Sequence, residues 1–194
     1  MSQSSSVQLE QERRGSYRVD DRIGLRVSWV PEKAEQAALN SAKASRERFA
    51  MINKLVVMRE EALPVFRKVE RRAPDVAKYF RHLEKQIDTV ARVLGQSGNA
   101  LPEEPTDDVN ISATGLSFGS KSAYPIDALV ELRMMLFPEQ VHLFLYGRVI
   151  RVETELDPDL PVVSVAFDDI SHEDSELLIK HLHNVQMRTL HAES

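Results

Sequence analysis

Asp108-Val109-Asn110-Ile111-Ser112-Ala113-Thr114-Gly115-Leu116-Ser117-Phe118 reads as a strand, a tight polar turn and a second strand. Asn110, Ser112 and Thr114 alternate with apolar Val109 and Ile111; Gly115 then breaks the run, and Leu116 and Phe118 restart it. Asn and Ser bond to nearby backbone groups, and Gly permits φ > 0 or a close backbone approach, so the stretch predicts a hairpin corner. A second polar cluster lies far upstream, Arg13-Arg14-Gly15-Ser16-Tyr17-Arg18, and it too leads into a strand-like run.

Outward from the hairpin the chain is strand-rich. Val130, Leu132, Met134 and Leu136 share one face of a run whose other face carries Glu131 and Arg133. Val141 to Val152 alternates over a long stretch, with Gly147 where a barrel strand would bend. Val162 to Phe167 is a further apolar strand, and Ser171 with Asp174 three residues on resembles a capping box opening a helix with Leu177, Leu178, Leu182 and Val185 on its apolar face. Upstream, Ile23, Leu25, Val27 and Trp29 alternate with Gly24, Arg26 and Ser28, and Pro31 ends that strand. Short strands with turn signals favour a small closed barrel over a parallel sheet.

Between the first strand and the rest lies a segment of another kind. Residues 32–95 are rich in Ala, Glu, Lys, Arg, Leu and Val, with no Gly before Gly95, and predict helix. One seam runs through Ala38, Ala42, Ser45, Phe49, Ile52, Val56, Arg59, Leu63 and Phe66, with a second beside it through Met51, Leu55, Met58, Ala62, Val65 and Val69. Two adjoining stripes imply more than one neighbour. Pro64 is expected to kink or split this helix. After Ala73-Pro74, the residues Val76, Phe80, Leu83, Ile87, Val90 and Leu94 take heptad spacing. The reading is a helical hairpin or coiled-coil arm that self-associates through Phe49, Ile52, Val56, Leu63, Phe80, Leu83, Ile87 and Val90.

Composition limits the function. The chain has 194 residues, 42% of them apolar, enough for one good core. Its 25 Lys+Arg against 30 Asp+Glu give a net charge of −5, which argues against nucleic-acid binding. It has no cysteine, hence no disulfide and no thiolate nucleophile or ligand. No apolar run reaches the roughly 20 residues of a membrane span, and the polar residues 1–12 have no apolar signal-peptide core. A cytoplasmic protein without membrane contact is expected. His82, His142, His172, His181, His183 and His191 are scattered, and His181 and His183 lie two apart on a helix, facing different ways. With no phosphate loop and no nucleophile elbow, the expectation is no enzyme, no metal and no cofactor. Recognition remains. Arginine forks suit phosphates and the guanine O6/N7 edge, and an amide and a hydroxyl suit a purine edge.

The two polar clusters resemble the signatures of the PilZ domain family, an RxxxR element often preceded by a further Arg, and a [DN]xSxxG element. Here they read Arg13-Arg14-Gly15-Ser16-Tyr17-Arg18 and Asn110-Ile111-Ser112-Ala113-Thr114-Gly115. Tyr146-Gly147-Arg148-Val149-Ile150-Arg151-Val152 and the final strand and helix add to the likeness. The resemblance implies a mainly β fold with an α insertion: a six-stranded β-barrel, a helical arm after its first strand, and a C-terminal helix. It implies a flexible tail over 1–12, a barrel domain over 13–31 and 107–194, an inserted oligomerisation arm over 32–95, and a linker over 96–106. The implied ligand is cyclic di-GMP. Arg14 and Arg18, assisted by Arg13, would bind its phosphates and bases, Asn110 and Ser112 would contact a guanine, and Gly115 would keep the turn open. The inserted arm resembles that of a subgroup that assembles as a tetramer, implying a homo-oligomer that works through a protein partner in motility, biofilm formation or a related bacterial process. The alternative is a degenerate PilZ scaffold that binds no nucleotide and acts through contacts of the arm.

Overall fold

The first strand begins earlier than its apolar run. In the computed structural model, which describes residues 17–95, 101, 102, 104–154, 160–168 and 170–192, β1 spans Arg18–Trp29. Arg18 is therefore a strand residue, opposite Ser112 in the ladder. Five more strands follow: β2 (Asp107–Ser112), β3 (Gly115–Gly119), β4 (Leu129–Leu136), β5 (Val141–Glu153) and β6 (Val162–Phe167). They pair in the order β1-β2-β3-β6-β5-β4, and β4 closes on β1 to complete the barrel. The quoted hairpin forms as read, with Ser112 paired to Gly115 across a two-residue turn. Asp107 and Asp108 are the first rungs of β2, opposite Ile23 and Arg22.

Alternation fills the barrel. Ile23, Leu25, Ile111, Leu116, Leu132, Met134, Leu143, Leu145 and Val165 share one buried core. The C-terminal helix α3 (His172–Ala192) adds Leu178, Leu182 and Val185 to it. Its start follows the sequence reading: the Asp174 N–H donates to Ser171 Oγ at 3.1 Å, an N-cap. His181, whose side chain is 1% exposed, bonds Asp21 Oδ2 through Nε2 at 2.7 Å and Glu139 Oε2 through Nδ1 at 3.1 Å. The helix is thereby tied to β1 and to the β4–β5 turn.

The arm comprises a short turn at Glu32–Ala34, then α1 (Glu35–Arg72) and α2 (Pro74–Gly95). The break falls at Ala73-Pro74 as expected, but Pro64 does not split α1, which runs 38 residues through it. Pro64 is exposed, so water can take the carbonyl its missing N–H leaves free, and the long helical stretch before it carries the helix on to Arg72.

A second correction concerns the stripe of α1. Phe49, Ile52 and Val56, expected in an interface between copies, are buried within the chain itself. The outer face of β4 and β5 carries Leu129, Phe144 and Tyr146 where simple alternation would put polar groups, and α1 covers it with Ala42 and Phe49 to form a second core. Phe49 lies 5.9 Å from Phe144 and 5.8 Å from His142, ring to ring. Tyr146 donates to Ala38 O at 3.2 Å, and burial, followed by the Glu131 carboxylate, pushes its phenol up to about 12. Asn53 fixes the alignment. Its Nδ2 donates to His142 O at 2.6 Å and its Oδ1 accepts from His142 N–H at 2.8 Å, occupying a part of β5 that precedes its pairing with β6.

Asn53→Ala is expected to leave both main-chain groups of His142 unpaired and to cost about 1–3 kcal/mol in urea unfolding. Acid should act in two stages. Burial holds His142 below its ordinary pKa, so the unfolded chain takes a proton that the folded chain refuses, and stability falls as pH drops below about 6.5. Burial would raise Glu139, but hydrogen bonds from its own backbone, Asn184 and His181, and then the His181 charge, hold it low. That contribution is present above the unfolded carboxylate value of about 4.3 and is lost as pH falls through the folded one. Melting temperatures measured between pH 7 and 3 are expected to follow both stages, and His142→Phe to remove the first.

Candidate functional site

Ladder registers align a row of side chains on the outer face of the barrel. Asp20 is opposite Asn110, Asn110 opposite Ser117, Ser117 opposite Ser164, and Ser164 opposite Arg151, so the row crosses five strands. Arg18, on the same face of β1 as Asp20, reaches into it. Its Nε donates to Asn110 Oδ1, and its Nη2 donates to Asn110 O at 2.9 Å and Ser117 Oγ at 3.2 Å. Asn110 Nδ2 donates to Asp20 Oδ1 at 2.7 Å, and the hydroxyls of Ser117 and Ser164 lie 2.9 Å apart. Arg18 and Asn110, both expected in the site and 92 residues apart, are thus in direct contact.

Arg151 is in the row because β5 is irregular. The register steps from Val149 opposite Val165 to Arg151 opposite Ser164, so Ile150 is an extra residue. Unbroken alternation through Leu143, Leu145 and Val149 would turn Arg151 into the core; the bulge turns it out. Arg151 Nη1 lies 3.1 Å from Glu153 Oε1. Burial, and after it the like charge of Arg151, push the Arg18 guanidinium below its usual value. Two cations therefore face a strip of hydroxyls and an amide.

Ser112 and Gly115 do other work. The Ser112 residue is 1% exposed, and its hydroxyl donates to Gly115 O at 3.2 Å and accepts from Thr114 N–H at 3.3 Å. It closes the turn and does not face the open surface expected of a guanine contact. A Cβ on Gly115 would stand 2.4 Å from Val165 O, and one on Gly147 would stand 2.6 Å from Ala166 O. Glycine at both positions lets β3 and β5 approach β6 closely. Arg13 and Arg14 lie outside the described residues.

Three members of the row, Asp20, Asn110 and Ser117, also line a groove of about 930 Å³, together with Phe137, Pro138, Val185 and Arg188 among others. Sequence reading passed over Asp20, Ser117, Ser164 and Arg151. The two serines carried a usable signal, being polar residues at alternate positions in otherwise apolar strands. The crowding of Val149, Ile150 and Val152 was the trace of the bulge. Among the described residues no group of His, Asp and Glu side chains is arranged to hold a metal ion, and no helix is long and apolar enough to cross a membrane.

A family model described as the PilZ domain matches residues 75–184, more than half of the chain. β1 lies outside that span, separated from it by α1. Among solved structures, a protein from Xanthomonas campestris, described as a tetrameric PilZ domain self-assembled via a helical bundle, is 14% identical. The likeness covers 91% of this chain and 89% of that one at a TM-score of 0.50. The inhibitor of motility MotI/DgrA of Bacillus subtilis is 17% identical over 45% of this chain and 44% of its own, at a TM-score of 0.38. No significant match is found among curated proteins.

Gly115→Ala is expected to force β3 and β6 apart and to lower stability by about 1–3 kcal/mol in urea unfolding, with a similar loss for Gly147→Ala.

Proposed function

The chain belongs to the PilZ domain family, and on that premise we propose that it is a cyclic di-GMP receptor that self-associates through its helical arm and passes the signal to a protein partner. The observation that carries the reading is the contact of Arg18 with Asn110 and Ser117, in a row that ends at Arg151 and lines the groove through Asp20, Asn110 and Ser117. Guanidinium forks make strong charge-assisted bonds to phosphate. The hydroxyls of Ser117 and Ser164 suit sugar and phosphate oxygens. Arg13 and Arg14, by likeness to the family motif, supply further cations to a ligand with two phosphates. Arg18 is held by Asn110 and Ser117, so phosphate binding exchanges some of those bonds for bonds to phosphate.

The arm supports self-association. α2 turns charge toward α1, with Arg81 3.0 Å from Glu70 and Asp88 3.4 Å from Arg59. Its apolar stripe points away, leaving Val76, Phe80, Ile87 and Val90 exposed by 47%, 46%, 50% and 60%. Leu83 is partly covered and Leu63 of α1 is exposed. A heptad-spaced stripe left open beside an ionic one fits a second copy of the same arm, with a tetramer as the assembly proposed. One observation favours the alternative of a scaffold that binds no nucleotide: the Ser112 hydroxyl is spent inside the turn.

Calorimetry separates the two. The chain is expected to bind cyclic di-GMP saturably, and Arg18→Ala or Arg14→Ala to weaken binding by roughly ten- to a hundredfold, the loss of one charged hydrogen-bonding group. Heatless titration without thermal stabilisation at high ligand would leave the scaffold reading. In sedimentation velocity, Phe80→Glu combined with Val90→Glu is expected to reduce the assembly to monomers while the circular dichroism of the barrel and helices is kept.

A further inference from the structure

Guanine differs from adenine by the donors on its Watson–Crick edge, N1–H and the 2-amino group, and from hypoxanthine by the 2-amino group alone, so a site that selects it needs an acceptor placed for both. The Asn110 side chain is engaged through both of its polar atoms. Its Oδ1 accepts from Arg18 Nε, and its Nδ2 donates to Asp20 Oδ1. Ser117 and Ser164 are bonded to each other. Among the described residues three carboxylates line the groove. Asp21 is held by His181 at 2.7 Å, and Asp108 faces Arg22 at 3.8 Å. Asp108 is as open to solvent as Asp20, but only Asp20 is held by an uncharged amide: its Oδ1 accepts from Asn110 Nδ2 at 2.7 Å, while its Oδ2 has no partner among the described residues.

We infer that Asp20 is the guanine-reading acceptor of this site, taking the N1–H and 2-amino donors of a base seated in the groove while Asn110 fixes its carboxylate. The inference rests on the receptor reading above and adds the residue that sets the choice of base. A carboxylate accepts only, so it pairs with both guanine donors, pairs with one donor of hypoxanthine, and faces the N1 acceptor of adenine unfavourably. Held by an amide on the adjacent strand, the carboxylate is oriented before ligand arrives, which avoids part of the ordering cost of binding.

The test is calorimetry of wild type and Asp20→Asn with cyclic di-GMP, its inosine analogue cyclic di-IMP, and cyclic di-AMP. Asp20→Asn is close in shape and sits at an exposed position, and equal melting temperatures check that the fold is kept. Wild type is expected to prefer cyclic di-GMP over the inosine analogue by about tenfold or more, and Asp20→Asn to weaken cyclic di-GMP by a similar factor and narrow that preference to about twofold. Unchanged affinity for cyclic di-GMP in Asp20→Asn overturns the inference and leaves the receptor reading standing. An equal loss toward cyclic di-GMP and the inosine analogue, with their ratio kept, also overturns it, because Asp20 then only positions Asn110 and Arg18. A wild type silent toward all three ligands defeats the receptor reading itself, and this inference with it.

Discussion

The barrel closes through a single strand with two partners. Residues Arg18–Ile23 of β1 pair with β2, and Gly24–Trp29 pair with β4. Gly24 stands at the change of partner, where a Cβ would lie 3.2 Å from Pro102 O. This one strand fixes both ends of the functional layout. At its start the register sets Asp20 opposite Asn110 and Arg18 one same-face position away, opposite Ser112; at its finish Trp29 lies opposite Val130, from where the chain leaves for the arm. A slip of one residue would turn Arg18 and Asp20 inward and expose Val19 and Ile23. Burial of that apolar face therefore holds the register that aligns the polar one.

The same logic divides the apolar residues of the arm. Aromatic groups on the outside of β5 draw the stripe of α1 onto the barrel, and the Asn53 amide locks its alignment to His142. The outer stripe of α2 then has no barrel to cover it. The polar row and this stripe lie on different parts of the molecule, and α3 touches the supports of both. His181 holds Asp21, the neighbour of Asp20 in β1, while Lys180 bonds Glu60 of α1 at 3.0 Å.

Much of the fold was legible because its signals are local. The hairpin at 108–118, the strands around Val130 and Val163, the Ser171 cap and the break at Ala73-Pro74 each follow from alternation, capping or proline chemistry within a few residues. Arg18 and Asn110 could be paired only through likeness to a family, since nothing near either residue specifies a partner 92 positions away. Features that depend on distant neighbours stayed hidden. Phe49, Ile52 and Val56 look alike whether they meet a second copy or a barrel wall. Ser112 reads as a surface hydroxyl until the turn claims it. Arg151 changes face because of one extra residue, and Asp20 gains meaning only from the amide across the ladder.

The most direct test of the account is a backbone amide NMR titration of the chain with cyclic di-GMP. The account predicts that the largest shifts fall at Arg18, Asp20, Asn110, Ser117, Ser164 and Arg151, with His142, Phe144 and Tyr146 beneath α1 little changed. Shifts centred on β4, β5 and α1, or none at saturating ligand, would contradict it.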